Sequence, residues 1–361
     1  MEKAKRNLTL DLVKGVAIMA VIIGHLDNCA DVLEYMPYKI LHKLIYSFHM
    51  PLFFIVAGFF FRPKSIYQDF KRLFYPYFFL AIVCLLFIWI TTQDMSHDHQ
   101  MEHIKLFVKR VLWGSGGYSE APYFGKVPDY LPVWFLCALL WCKQAFTVIT
   151  SIVGKYHKEN LYVLGIISLL LSMLFTYIDR RIIYIPLSFN QGLSAIIFFY
   201  IGYLARQIYN QGGFCVKKWH LVIVCLIVMI NIPWGTIILA GCKYQCYWLN
   251  IVGASCTTII IYFFCKMYLS RISIIVKFFR WAGVHSMLIL CVHSFLIETK
   301  LLYPPPSFPI WVLVASISYC CILVWLLAKF KPIRQLFQLS IICWLINIFH
   351  LNYLSILFVC F

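Results

Sequence analysis

From Leu8 the chain runs through about twenty apolar residues, long enough for a helix to cross a bilayer, and this run contains Asp11, Lys14 and His25. Ionisable groups inside such a segment are costly, so they mark a site by default. His25 follows Lys14 by eleven residues, which at about 100° per residue brings the two side chains to the same side of a helix, roughly 16 Å apart along its axis. Asp11, one turn before Lys14, shares that face and can pair with it. One face of one helix therefore joins a charged end to a titratable imidazole.

The rest of the composition says what surrounds this helix. With 62% hydrophobic and 12% charged residues, the chain is far more apolar than a soluble domain, which carries about 25% charged residues. The expected fold class is all-α: a polytopic membrane protein with about ten transmembrane helices in one bundle and a cytoplasmic N-terminus. The net charge of +17 does not point to nucleic acid, because Lys and Arg sit in short segments between apolar runs rather than on one basic face. The fifteen cysteines include Cys84, Cys137, Cys225, Cys256 and Cys320 inside apolar runs, where they read as reduced packing residues. No CxxC pair is present, so no metal site is expected.

The apolar runs lie at roughly 8–27, 44–61, 73–92, 131–150, 161–178, 187–205, 219–241, 247–265, 281–298 and 310–328. An N-terminus inside puts about 19 of the 31 basic residues on the cytoplasmic side and about ten outside, in keeping with the excess that cytoplasmic loops carry. The segment from His103 to Trp113 has apolar residues at helical spacing opposite Lys105, Lys109 and Arg110, which suits either an interfacial amphipathic helix covering an acceptor site or a solvated loop helix. Residues 1–334 read as one transmembrane domain. The apolar tail 335–361 is an additional span, a re-entrant segment or an extension.

The second run, LIYSFHMPLFFIVAGFFF, places His49 about a turn inside its outer end, at nearly the depth expected of His25. Pro51 should bend the helix there, and Ala57 and Gly58 allow close helix contact. The pair DLVKGVAIMAVIIGH and YSFHMPLFFIVAGFFF resembles the opening of the integral-membrane acyltransferase 3 family, the O-acetyltransferases of bacterial surface carbohydrates, and within it the fucose 4-O-acetylase-like branch. Four further segments resemble that family in the right order: FKRLFYP at 70–76, LPVWFL at 131–136, FFYIGY at 198–203 and WAGVHSML at 281–288 with His293 behind it. The likeness spans about residues 6–334.

That resemblance implies acetyl-CoA as donor and co-substrate, a surface or lipid-linked carbohydrate as acceptor, and a bacterial inner-membrane location. It also implies His25 as the essential histidine, with Lys14, Lys71 and Arg72 on the CoA side. Chemically, a sugar hydroxyl needs a base to take its proton before it can attack a thioester, and CoA phosphates need Lys and Arg. Asp11, His49, Trp134, Ser286 and His293 are candidates for the acceptor or supporting side. Sugar stacking and an interfacial-belt role are both open for Trp134, as are a cavity and a packing role for His293. The chain departs from the family pattern in Ala57-Gly58-Phe59 and in Gly283-Val284-His285-Ser286, which weakens any inference about the acceptor. A transporter using Asp11, Lys14, His25 and Glu298 as a proton or substrate pathway is the alternative, and a purely structural subunit would leave the buried charges unexplained.

Overall fold

The computed structural model describes residues 7–28, 36–114, 119–121, 125–127, 132–157, 160–178, 183–212, 218–267, 271, 273–299 and 309–338. Fifteen helices occupy nearly all of them: α1 Leu8–Gly24, α2 Met36–Tyr46, α3 His49–Phe59, α4 Ile66–Thr91, α5 His97–Trp113, α6 Trp134–His157, α7 Leu161–Tyr177, α8 Phe189–Ser194, α9 Ile196–Asn210, α10 Lys218–Trp234, α11 Tyr247–Met267, α12 Ser273–Val284, α13 Ser286–Glu298, α14 Pro309–Leu327 and α15 Lys331–Gln338. Two small antiparallel hairpins complete the description: β1 Ser119–Ala121 with β2 Gly125–Val127, and β3 Ile237–Ile238 with β4 Lys243–Tyr244. The fold is thus helical, as expected. Of the apolar tail, residues 335–338 close α15, and the remainder lies outside the described residues.

By length and composition, Met36–Phe59, α4, Trp134–Lys155 and α11 can each cross a membrane, and α12 with α13 adds a fifth span if the bent pair is counted as one. Leu161–Tyr177, Trp219–Trp234 and Ile317–Leu327 are apolar but shorter. Their outer faces suit lipid: Ile82, Leu86 and Trp89 of α4, and Val222, Leu226 and Met229 of α10, are exposed apolar residues at helical spacing.

The helix starts follow local chemistry. The Asn7 side chain accepts from Leu10 N at 3.3 Å and caps α1, Ser65 caps α4, and Asn160 accepts from Tyr162 N and Val163 N to cap α7. Helix α5 ends on Gly114, whose φ of +55° is the left-handed stop that glycine permits.

Two crossings fix the bundle. A Cβ on Gly15 would lie 2.1 Å from Phe279 O, and one on Gly283 would lie 1.8 Å from Asp11 O, so α1 and α12 touch backbone to backbone. The same reciprocal arrangement joins α3 to α9, where Gly58 meets Phe199 O and Gly202 meets Ile55 O. In a bilayer, where apolar tails compete with apolar side chains, such close approach is what holds helices together. The small-residue reading of Gly58 therefore has a definite partner.

Three features depart from the expected segments. The second span begins at Met36, eight residues before Leu44, which places His49 at the join between α2 and α3 rather than near an end. The ninth is bent by 75° at His285 into α12 and α13. Helix α5 runs antiparallel to α4, with Gln100 Nε2 donating to Trp89 O (3.2 Å) and Tyr77 Oη donating to Val111 O (2.6 Å). Its C-terminal end thus lies level with the middle of α4 and buries Phe107, Val111 and Trp113, while Lys105, Leu106, Val108 and Leu112 stay exposed. That end is held in place by Leu187 N, which donates to Trp113 O at 2.7 Å, and by Ser188 Oγ, which donates to Gly114 O. Leu187 and Ser188 both have φ near +60°, a strained choice for non-glycine residues that these two bonds stabilise.

Candidate active site at the His25 end of the first helix

Helix α1 is unbroken from Leu8 to Gly24, with His25 as its C-cap, so the charged residues and the imidazole sit on one continuous element. Asp11 is buried, and its Oδ1 lies 2.8 Å from Lys14 Nζ, which offsets the cost of placing both in an apolar segment. The backbone at this point is the surface on which Gly283 of α12 rests. At His285 the chain turns, and α13 then carries His293 back to the other end of α1. There the rings of His25 and His293 meet edge to face, with centroids 5.4 Å apart and planes at 67°. One bent helix pair therefore touches α1 beside the Asp11–Lys14 pair and again at His25.

The tautomer of His25 follows from its hydrogen bond. Nδ1 is 2.7 Å from Val21 O, and because a carbonyl only accepts, Nδ1 carries the proton. A neutral His25 then presents its lone pair at Nε2. His25 is half-buried, whereas His293 has no exposed surface. Neither ring nitrogen of His293 has a hydrogen-bond partner among the described residues.

Helix α2 closes the third side. Tyr38 Oη donates to Ile23 O at 2.9 Å, and Ile45 and Tyr46 lie 3.0 and 3.3 Å from the position of a Cβ on Gly24. Tyr46 stacks on His42 with centroids 4.1 Å apart, and meets the ring of the buried His49 at 4.8 Å. His49 Nδ1 donates to Ile45 O at 2.8 Å. Among the described residues the ring that packs on His25 is that of His293 on α13, and His49, expected at nearly the depth of His25, approaches the same region through Tyr46.

The other candidates are dispersed. Lys71 is buried on α4 with its ammonium 3.7 Å from the centre of the Tyr67 ring, and Arg72 beside it is exposed. Trp134 is 4% exposed at the start of α6 and packs in the main core beside Phe135, which removes it from any interfacial belt. Ser286 is half-buried as the first residue of α13, immediately after the bend.

Sequence reasoning missed two ion pairs. Asp69, two residues before Lys71, is almost fully buried and accepts from Lys143 Nζ at 2.5 Å and Gln144 Nε2 at 2.7 Å, tying α4 to α6. The available signal was Lys143, a basic residue inside an expected span. Replacing Asp69 with Leu leaves the Lys143 cation without this carboxylate and should cost about 3 kcal/mol in thermal unfolding, while Asp69→Leu/Lys143→Met should recover most of the loss. The second pair, Arg110 with Glu298 at 2.7 Å, fastens α5 to the end of α13. Asp11 and Glu298, two of the groups a transport pathway would need, are thereby each engaged with a cation.

The family comparison decides the class of chemistry such an arrangement performs. The family model described as an acyltransferase domain, acyltransferase 3, matches residues 7–329. The chain belongs to this acyltransferase family. No curated protein and no solved structure matches it. The acyltransferase is accordingly a multi-pass membrane protein. The match takes in α1 to α14 and thus every candidate site residue named above. Within this membrane acyltransferase, Gly58, Gly202 and Gly283, each part of a segment that resembles the family, lie at the two backbone crossings.

Proposed function

We propose that this membrane acyltransferase moves an acetyl group from acetyl-CoA to a hydroxyl of a cell-surface or lipid-linked carbohydrate, in a bacterial inner membrane, with His25 as the base. The observation that carries the reading is the bond from His25 Nδ1 to Val21 O, which sets the tautomer, together with the buried imidazole of His293 packed edge to face on the same ring. An alcohol is a poor nucleophile at neutral pH, and a base of this kind is what acyl transfer to it requires.

In this reading the N-terminus is cytoplasmic and the Asp11–Lys14 end of α1 faces the donor. Lys14, a quarter exposed beside Asp11, and Arg72, exposed on α4, meet the CoA phosphates, and Lys71 supports them from beneath Tyr67. The roughly 16 Å of helix between Lys14 and His25 spans the length that an extended thioester arm must cross. The acceptor reaches His25 from the side of Tyr46 and His49.

Comparison of surface glycans by mass spectrometry, in cells with and without the gene, tests this. Loss of an acetyl-sized increment from one glycan in the deletion strain, restored by the wild-type gene, is the expected result. Identical glycan spectra would refute the carbohydrate acceptor.

A further inference from the structure

The His293 imidazole is hard to explain as packing. A neutral imidazole carries one N–H and one lone pair, and leaving either unpaired in a dry site incurs the full cost of its desolvation. His293 leaves both unpaired among the described residues, with no exposed surface, at the centre of α13. Among the described residues the other buried histidine, His49, places Nδ1 on the carbonyl four residues before it, as do the half-buried His25 and His285. His293 alone among these four makes no such bond, although it sits in a regular helix with a carbonyl at the same offset. Its ring is turned instead against His25.

We propose that His293 is a second catalytic residue of the acyltransferase, donating its N–H to the acyl carbonyl oxygen as that oxygen takes up negative charge. This rests on the reading of His25 as the base. The step balances without any further reactant. The acceptor hydroxyl gives its proton to His25 Nε2 while its oxygen forms a bond to the acyl carbon, and the carbonyl π electrons move onto oxygen. The resulting oxyanion accepts a hydrogen bond from His293. Collapse restores the carbonyl and breaks the carbon–sulfur bond, and the departing thiolate takes the proton back from His25, so both imidazoles end neutral. A fully buried ring is expensive to charge, which suits His293 to a donor role and leaves proton transfer to the more accessible His25. A preorganised donor in a water-poor site is the arrangement that stabilises a tetrahedral intermediate most effectively.

The test compares His293→Leu and His293→Gln with wild type in purified protein, reading kcat and KM with acetyl-CoA alongside thermal stability. Leu fills the space without an unpaired polar group, so His293→Leu should keep or raise the melting temperature while kcat falls 100- to 1,000-fold at little change in KM. Gln restores a donor and should recover at least tenfold of that loss. A structural histidine would behave otherwise, with melting temperature and activity falling together, and that result would overturn the proposal. So would kcat within threefold of wild type in His293→Leu. If His293→Leu is active and His25→Ala is dead, the assignment of His293 fails and that of His25 stands; if both variants turn over like wild type, the reading of His25 fails as well.

Discussion

Replacing His25 with Ala should lower acyl transfer by about a thousandfold or more while the protein remains inserted and folded, the scale of loss expected when a general base is removed. On the proposed reading this follows because His25 Nδ1 donates to Val21 O, which puts the lone pair of the neutral ring on Nε2. Alanine removes that atom and keeps the α1 backbone, whose position is set elsewhere by Gly15, Gly24 and their neighbours. The check is radiolabelled acetyl transfer by variant and wild type purified at equal yield, with melting temperatures recorded in the same detergent. A variant with full activity would remove the mechanism.

Gly283→Ala should be among the most damaging single-methyl changes in the described residues, with Gly202→Ala at the α3–α9 crossing its equal. A Cβ on Gly283 would sit 1.8 Å from Asp11 O and 2.9 Å from Gly15 N, both backbone atoms of α1, so no side chain can move aside to admit it. Helices α1 and α12 must separate, which costs more than the usual 1–3 kcal/mol of core overpacking. Separation also carries α13 away from α1 and should abolish activity by parting His293 from His25. The same substitution at Gly154 on α6, where nothing lies within 4 Å, should stabilise by about 0.5–1 kcal/mol through helix propensity alone. Thermal unfolding of the two variants side by side should therefore give shifts of opposite sign. Equal and small shifts would show that the α1–α12 crossing is looser than described.

Much of this was legible in the sequence because hydropathy and helical spacing act locally. The apolar runs mark the main helices, Asp11 and Lys14 one turn apart pair as expected, and the run behind Leu8 announces a helix with a charged face. What escaped depends on contacts between distant segments. The ring facing His25 comes from α13, near the far end of the chain, and nothing in the periodicity of either segment specifies that meeting. The bend at His285 is invisible because hydropathy is continuous from 281 to 298 while the backbone turns by 75°. The break between α8 and α9 at Ala195 is sustained from outside, by Ser172 Oγ and Tyr244 Oη donating to Ser194 O, which re-satisfies a carbonyl freed from the helix. Asp69 fell just before an expected span, so its burial against Lys143 could not be read from hydropathy. Gly283 stood in the sequence only as part of a family-like segment; its role emerged once α12 was seen lying on α1.

The most direct measurement is the release of free CoA thiol by the purified protein in lipid nanodiscs, supplied with acetyl-CoA and a carbohydrate acceptor. The account predicts release matched one to one by acetylated acceptor, and none above background from His25→Ala. Thiol release that is equally fast in His25→Ala, or absent from the wild type with every glycan acceptor supplied, would contradict it.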